Sequence, residues 1–130
     1  MNDINNLLAS NKSKISVFTT IKDNKVVFNL ESNIDKKLND CKGLELEVKD
    51  VYIKVIETPR EDETLEIKKI CILLDSEGVS YVTASKMFAN QMIRYIESFG
   101  EEGINNGLKI KIIERPVKGS SNKALGFELI

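Results

Sequence analysis

Residues 44–57 read LELEVKDVYIKVIE, and they decide the fold. Leu44, Leu46 and Val48 alternate with Glu45, Glu47 and Lys49, and then the apolar set becomes Val51, Ile53 and Val55. A strand has a side-chain period of two, so it cannot change phase and keep one face inward unless it carries an extra residue. Lys49-Asp50 is where that residue sits. A bulge there bends one long strand so that it serves two sides of a barrel.

Upstream, residues 31–43 (ESNIDKKLNDCKG) form a polar bridge closed by Gly43. Ser32 and Asn33 are cap-type residues for a short helical turn holding Ile34 and Leu38 at i, i+4. Residues 14–30 read as a β-hairpin. Ile15, Val17, Thr19 and Ile21 alternate with Ser16, Phe18 and Thr20, Asp23-Asn24 supplies the turn, and Val26, Val27, Phe28 and Leu30 form the return strand. Residues 1–13 (MNDINNLLASNKS) make a polar N-terminal arm with Ile4, Leu7 and Leu8 as apolar handles. Self-association through this arm is one expectation, and docking on its own barrel is another.

Downstream, a charged loop at 57–66 surrounds Pro59, and IKKICILL at 67–74 reads as a buried strand. Asp75 to Gly78 is a turn, and Val79–Thr83 is the next strand. A helix follows, with Thr83 or Ser85 as its cap and Phe88, Met92, Ile96 and Phe99 along one face. Gly100 suits its left-handed termination. Leu108–Ile113 alternates Ile110 and Ile112 with Lys109 and Lys111. ERPVKGSSN at 114–122 is a basic loop, and Ala124–Ile130 is the last strand.

From residue 44 onward the order is strand, strand, strand, helix, strand, strand. This predicts a mainly β chain with a five-stranded OB-fold barrel, one helix between strands 3 and 4, and an extra N-terminal hairpin. The helix would plug one end of the barrel. Residues 14–130 form a single domain in this reading, and 130 residues suffice for one core.

Composition narrows the function. Hydrophobic residues make up 42%, as expected for a folded chain. No apolar run approaches the roughly 20 residues needed to span a bilayer. The start lacks the basic and apolar regions of a signal peptide, which places the protein in the cytoplasm without a membrane partner. Cys41 and Cys71 read as free thiols of a reducing compartment. With no histidine, the usual general base and the commonest metal ligand are missing. No nucleophilic triad, metal set, cofactor loop or phosphate-cradling glycine pattern is present, so the chain reads as a non-enzyme with no metal and no cofactor.

ICILLDSEGVSYVTASKMFANQMIRYIESFG, followed by LKIKIIERPVKGSSNKALGFELI, resembles the single-stranded DNA-binding OB-fold proteins of phages and plasmids of Gram-positive bacteria. KGLELEVKDVYIKVIE resembles the start of the same pattern. The resemblance covers residues 14–130. It implies sequence-tolerant binding of single-stranded DNA in replication or conjugative transfer, in the bacterial host cytoplasm. Many such proteins carry an acidic C-terminal tail, and this sequence stops at Ile130 inside a strand.

A single-strand groove needs aromatic faces for stacking and cations that follow the backbone. Tyr52 lies opposite Val51 and Ile53, beside Lys54, and Tyr81 lies opposite Ser80 and Val82. These tyrosines are the candidate stacking platforms, with ordinary barrel packing as the competing reading. Phe18 is a further candidate, whereas Phe28 and Phe127 are assigned to the core. The candidate backbone contacts are Lys54, Lys69, Lys86, Lys109, Lys111, Arg115, Lys118 and Lys123, with Lys68 and Arg94 as additions. A solvated strand face explains Lys109 and Lys111 equally well. The net charge of −1 argues against an overall basic binder. It keeps open an OB-fold interaction or structural subunit that binds no nucleic acid.

Overall fold

The computed structural model describes residues 13–119 and 123–130. Its trunk is one long strand, Glu45–Pro59 (β3), paired antiparallel with Leu65–Asp75 (β4). The register slips between Val48 and Asp50, so the bulge sits where the sequence phase changes. Leu46 and Val48 before it and Val51 and Ile53 after it are all buried in the same core. The extra residue keeps one face inward through the bend.

Side chains hold that bend in place. Asp50 Oδ1 accepts from Thr20 Oγ1 at 2.8 Å and from Asn105 Nδ2 at 3.2 Å. Thr20 Oγ1 accepts from the Val51 amide at 3.0 Å, and Asn105 Nδ2 also donates to the Lys49 carbonyl at 3.2 Å. Asp50→Ala leaves the buried Thr20 hydroxyl without its acceptor. The expected cost is about 1–3 kcal/mol, read as a lower denaturant midpoint at unchanged slope.

Around β3 the described residues form seven strands. Lys14–Thr19 (β1) and Leu108–Pro116 (β6) share one edge of β3, β1 along Tyr52–Glu57 and β6 along Glu45–Val48. Ser80–Thr83 (β5) pairs with β4, Lys36–Lys37 (β2) runs parallel to β5, and Lys123–Leu129 (β7) pairs with β6. The order is β2-β5-β4-β3-β6-β7, with β1 added on β3. The sheet curls into a half-barrel, and strand exceeds helix by 47% to 24%, so the molecule is mainly β.

Two short segments differ from the expectation. Residues 24–30 are not the return strand of a hairpin. They form helix α1, Asn24–Leu30, whose first turn is capped by Asp23 accepting from the Lys25 amide at 2.9 Å. The apolar run there lacks period-2 alternation. Val27 and Leu30, at i and i+3, fall on one helix face and pack with Tyr52 and Ile72 in a second apolar cluster on the outer side of the sheet. Phe28 consequently points to solvent, 86% exposed, and is not core. Residues 32–38 are not a helical turn either. The free edge of β5 captures β2, Asp35 and Ser80 exchange hydrogen bonds, and a 3-10 turn forms only at Leu38–Asp40. Residues 1–12 of the expected arm lie outside the described residues.

Helix α2, Lys86–Phe99, lies inside the curl against β4 and β7. Ser85 caps it by accepting from the Phe88 amide at 3.2 Å, and Gly100 ends it at φ 71°. Phe88, Ala89 and Met92 are fully buried. The stripe does not plug the core to its end, because Ile96 is half-buried and Phe99 is 58% exposed, stacked on Tyr95. The short helix α3, Glu102–Asn105, turns back there. It sends Ile104 into the core, and its Gly103 carbonyl accepts from the Tyr95 hydroxyl at 2.8 Å.

Candidate nucleic-acid interface

The strand registers place the two tyrosines on opposite faces. Tyr52 pairs laterally with Ile72 on the outer side, under α1, whereas Tyr81 pairs with Leu73 in the inner core. Each is only 4% exposed. A ring packed on both sides has no face to offer a base, so neither is a stacking platform in this structure. The packing reading replaces the stacking one for both. The Tyr52 hydroxyl donates to Glu31 Oε2 at 3.4 Å, and Lys54 Nζ lies 3.3 Å from the same oxygen. Lys54 thus ties the end of α1 to β3.

The Tyr81 hydroxyl donates to Asp75 Oδ2 at 3.2 Å. Burial first, and the Asp75 carboxylate second, push its pKa up to about 12. Unfolding returns it to about 10. Above that value the unfolded chain holds fewer protons than the folded one, so stability falls as pH rises from about 10 to 12. Tyr81→Phe is expected to flatten that loss, measured by urea denaturation across the pH range.

Half of the eight predicted cations face acids: Lys54, Lys109, Lys111 and Lys123. Lys109 faces Glu47 across the β3–β6 pair, and Lys111 sits between Glu45 and Glu128. These rows form a charge-alternating outer face instead of a basic stripe. Glu114 is ion-paired with Lys42 and lies 3.9 Å from Lys123. The Lys42 hydrogen bond holds the Glu114 carboxyl below its usual range against an opposing desolvation. Lys118 is exposed in the loop after β6.

The structure brings Lys69, Lys86 and Arg115 together around the first turns of α2. Lys69, on β4, hydrogen-bonds the side-chain carbonyl of Asn90. The Gln91 amide both donates to the Phe127 carbonyl and accepts from the Phe127 amide, at 3.0 Å for the latter, so the helix grips the outer edge of β7. Arg115 Nη2 donates to the same carbonyl at 3.1 Å. Gly126 makes room for this, since a Cβ there would meet Arg115 Nε and Gln91 Oε1 at 3.1 Å. Lys86, Asn90 and Arg94 are spaced i, i+4, i+8, so they line the exposed face of α2.

The chain matches no family model, no curated protein and no solved structure.

The arrangement is a band of four cations, Lys69, Lys86, Arg94 and Arg115, running from β4 across α2 to β6 and β7. Among the described residues none of the four has a carboxylate within ion-pair distance. Among the described residues Lys109, Lys111 and Lys118 close no ion pair either, so what sets these four apart is their grouping around α2 on a molecule with net charge −1. The polar i, i+4 row Lys86, Asn90 and Arg94 opposite the Phe88–Met92 stripe signals Asn90, whereas Gln91, four residues after Met87, carries no such signal. Among the described residues no three His, Cys, Asp or Glu side chains are grouped to hold a metal ion, and no helix is long and apolar enough to cross a membrane.

Proposed function

We propose that the chain is a sequence-tolerant single-stranded DNA-binding protein, acting without catalysis, metal or cofactor. The observation that carries this reading is the band of Lys69, Lys86, Arg94 and Arg115 without acid partners. Lys86 and Arg94 are separated by about 12 Å along the helix axis, at 1.5 Å per residue. That spacing suits alternate phosphates of one extended strand. The band has no exposed aromatic ring among its members, and Met87 is its exposed apolar neighbour. Binding is then chiefly electrostatic, modest in affinity, indifferent to base sequence and steeply salt-dependent.

The sheet supports assignment to the OB fold. Counting from β3, the order third-second-first-fourth-fifth with a helix between third and fourth strands suits that partly open barrel. A fold alone does not carry a function, so the cation band is the stronger support. A role in phage or plasmid replication or transfer in a bacterial cytoplasm rests on the sequence resemblance alone.

The test is fluorescence anisotropy of a labelled oligo(dT) titrated with the full chain at low and high salt. Binding at low salt that weakens at high salt is the expected result. No binding at low salt overturns the proposal and leaves the interaction-subunit reading in its place.

A further inference from the structure

A different surface points to a second partner, and it does not depend on the DNA-binding reading. Among the described residues β1 pairs only with β3. The Thr20 amide donates to the Val51 carbonyl at 3.1 Å, and this fixes which peptide groups face inward. By the alternation of an antiparallel ladder, those of Lys14, Ser16 and Phe18 face β3, while those of Ile15, Val17 and Thr19 face away. Edge strands of monomers are normally blunted by charge, proline or bulges. This one carries Ile15 and Val17 half-exposed on one face (54% and 50%) and Phe18 partly exposed on the other. An apolar groove of about 330 Å³ runs beside it, lined by Ser16, Phe18, Ile53, Val55, Ile93 and Ile96 and bordered by Glu97.

Charge complementarity identifies the occupant. Lys14 and Glu97 are both exposed, and neither closes an ion pair among the described residues. The Lys22–Glu101 pair, 3.6 Å, brings the end of β1 to the end of α2, so Glu97 lies toward Phe18 and away from Lys14. In an antiparallel pair of identical strands, directly opposite residues share a face only when they are separated by an even number. Pairing about Ser16 sets Ile15 opposite Val17, both with outward peptide groups, and Lys14 opposite Phe18. The lysine of one copy then lands beside Glu97 of the other, twice over.

We propose that the protein forms a two-fold dimer by antiparallel pairing of β1 with β1 of a second copy about Ser16, joining the two sheets and covering both grooves. The interface is isologous, and each partner supplies one strand edge, one cation and one anion.

The test is sedimentation of the full chain over a range of concentrations, with charge-swap variants. A mass of twice the chain is expected, with Lys14→Glu and Glu97→Lys each weakening the dimer at least fivefold and the double swap restoring it. Val17→Pro removes only an outward amide and should also give monomer. In a Cys41→Ser background, Ser16→Cys should form an intermolecular disulfide on mild oxidation, because the axis pair is a non-hydrogen-bonded one with Cα atoms about 4.5 Å apart. A monomer at every concentration overturns the proposal, including one that dimerises only when residues 1–12 are deleted. A dimer indifferent to the swaps, or failure of Ser16→Cys to cross-link, also overturns it.

Discussion

Replacing Phe88 with alanine is expected to destabilise the protein by about 3–5 kcal/mol, the range for truncating a buried aromatic side chain. The ring is fully buried, and its centroid lies 5.1 Å from that of Phe127 at an interplanar angle of 59°. With the two Gln91–Phe127 hydrogen bonds, it holds the first turns of α2 to β7. Its loss leaves a cavity beneath the same turns that carry Lys86, Asn90, Gln91 and Arg94. Phe99→Ala, at the exposed end of the same helical stripe, is the internal comparison and should cost about 1 kcal/mol or less. Urea denaturation of the two variants measures both. Equal effects would mean that the helix is anchored along its whole stripe.

The second large effect concerns binding. A single strand neutralised by four cations gives a salt slope of about −0.7 per phosphate contact. Affinity should then fall roughly fifty-fold between 50 and 200 mM salt. Replacing Lys69, Lys86, Arg94 and Arg115 together by glutamine should remove most of the binding and flatten that dependence. Lys69 and Arg115 also make hydrogen bonds inside the fold, so the Lys86→Gln, Arg94→Gln pair separates folding from binding. That pair lies on the exposed face of α2 and should leave stability within about 0.5 kcal/mol while halving the slope. Anisotropy titrations over a salt series measure it. An unchanged slope would place the phosphate contacts elsewhere.

Much of the architecture was legible because it rests on local patterns. The phase change between Val48 and Val51 located the bulge, and the 3.6 spacing of Phe88 and Met92 located the buried face of α2. The errors arose where two segments compete for one surface. Val26-Val27-Phe28 is as rich in β-formers as a strand, and only the outer apolar patch of Tyr52 and Ile72 makes a helix the better cover. The alternation of β3 puts Tyr52 on the side opposite Val51 and Ile53, but nothing in its own strand announces that α1 lies over it. Tyr81 likewise alternates with Ser80 and Val82, yet both faces of β5 carry apolar residues, so the pairing with Leu73 decides which is inward. Lys109 and Lys111 looked like a stripe because their counter-charges, Glu45, Glu47 and Glu128, sit on neighbouring strands. Conversely, Lys69 and Arg115 are forty-six residues apart in sequence and are linked only through α2, Lys69 by Asn90 and Arg115 beside Gln91 at the Phe127 carbonyl.

On the proposed function a single strand lies across α2. The most direct measurement is amide chemical-shift mapping of the ¹⁵N-labelled full chain as unlabelled oligo(dT) is added at low salt. The predicted result is a contiguous set of shifts at Lys69, Lys86 to Arg94, Arg115 and Gly126, with β1 and α1 unmoved. Shifts confined to β1 or α1, or none at concentrations where the oligonucleotide is in excess, would contradict it.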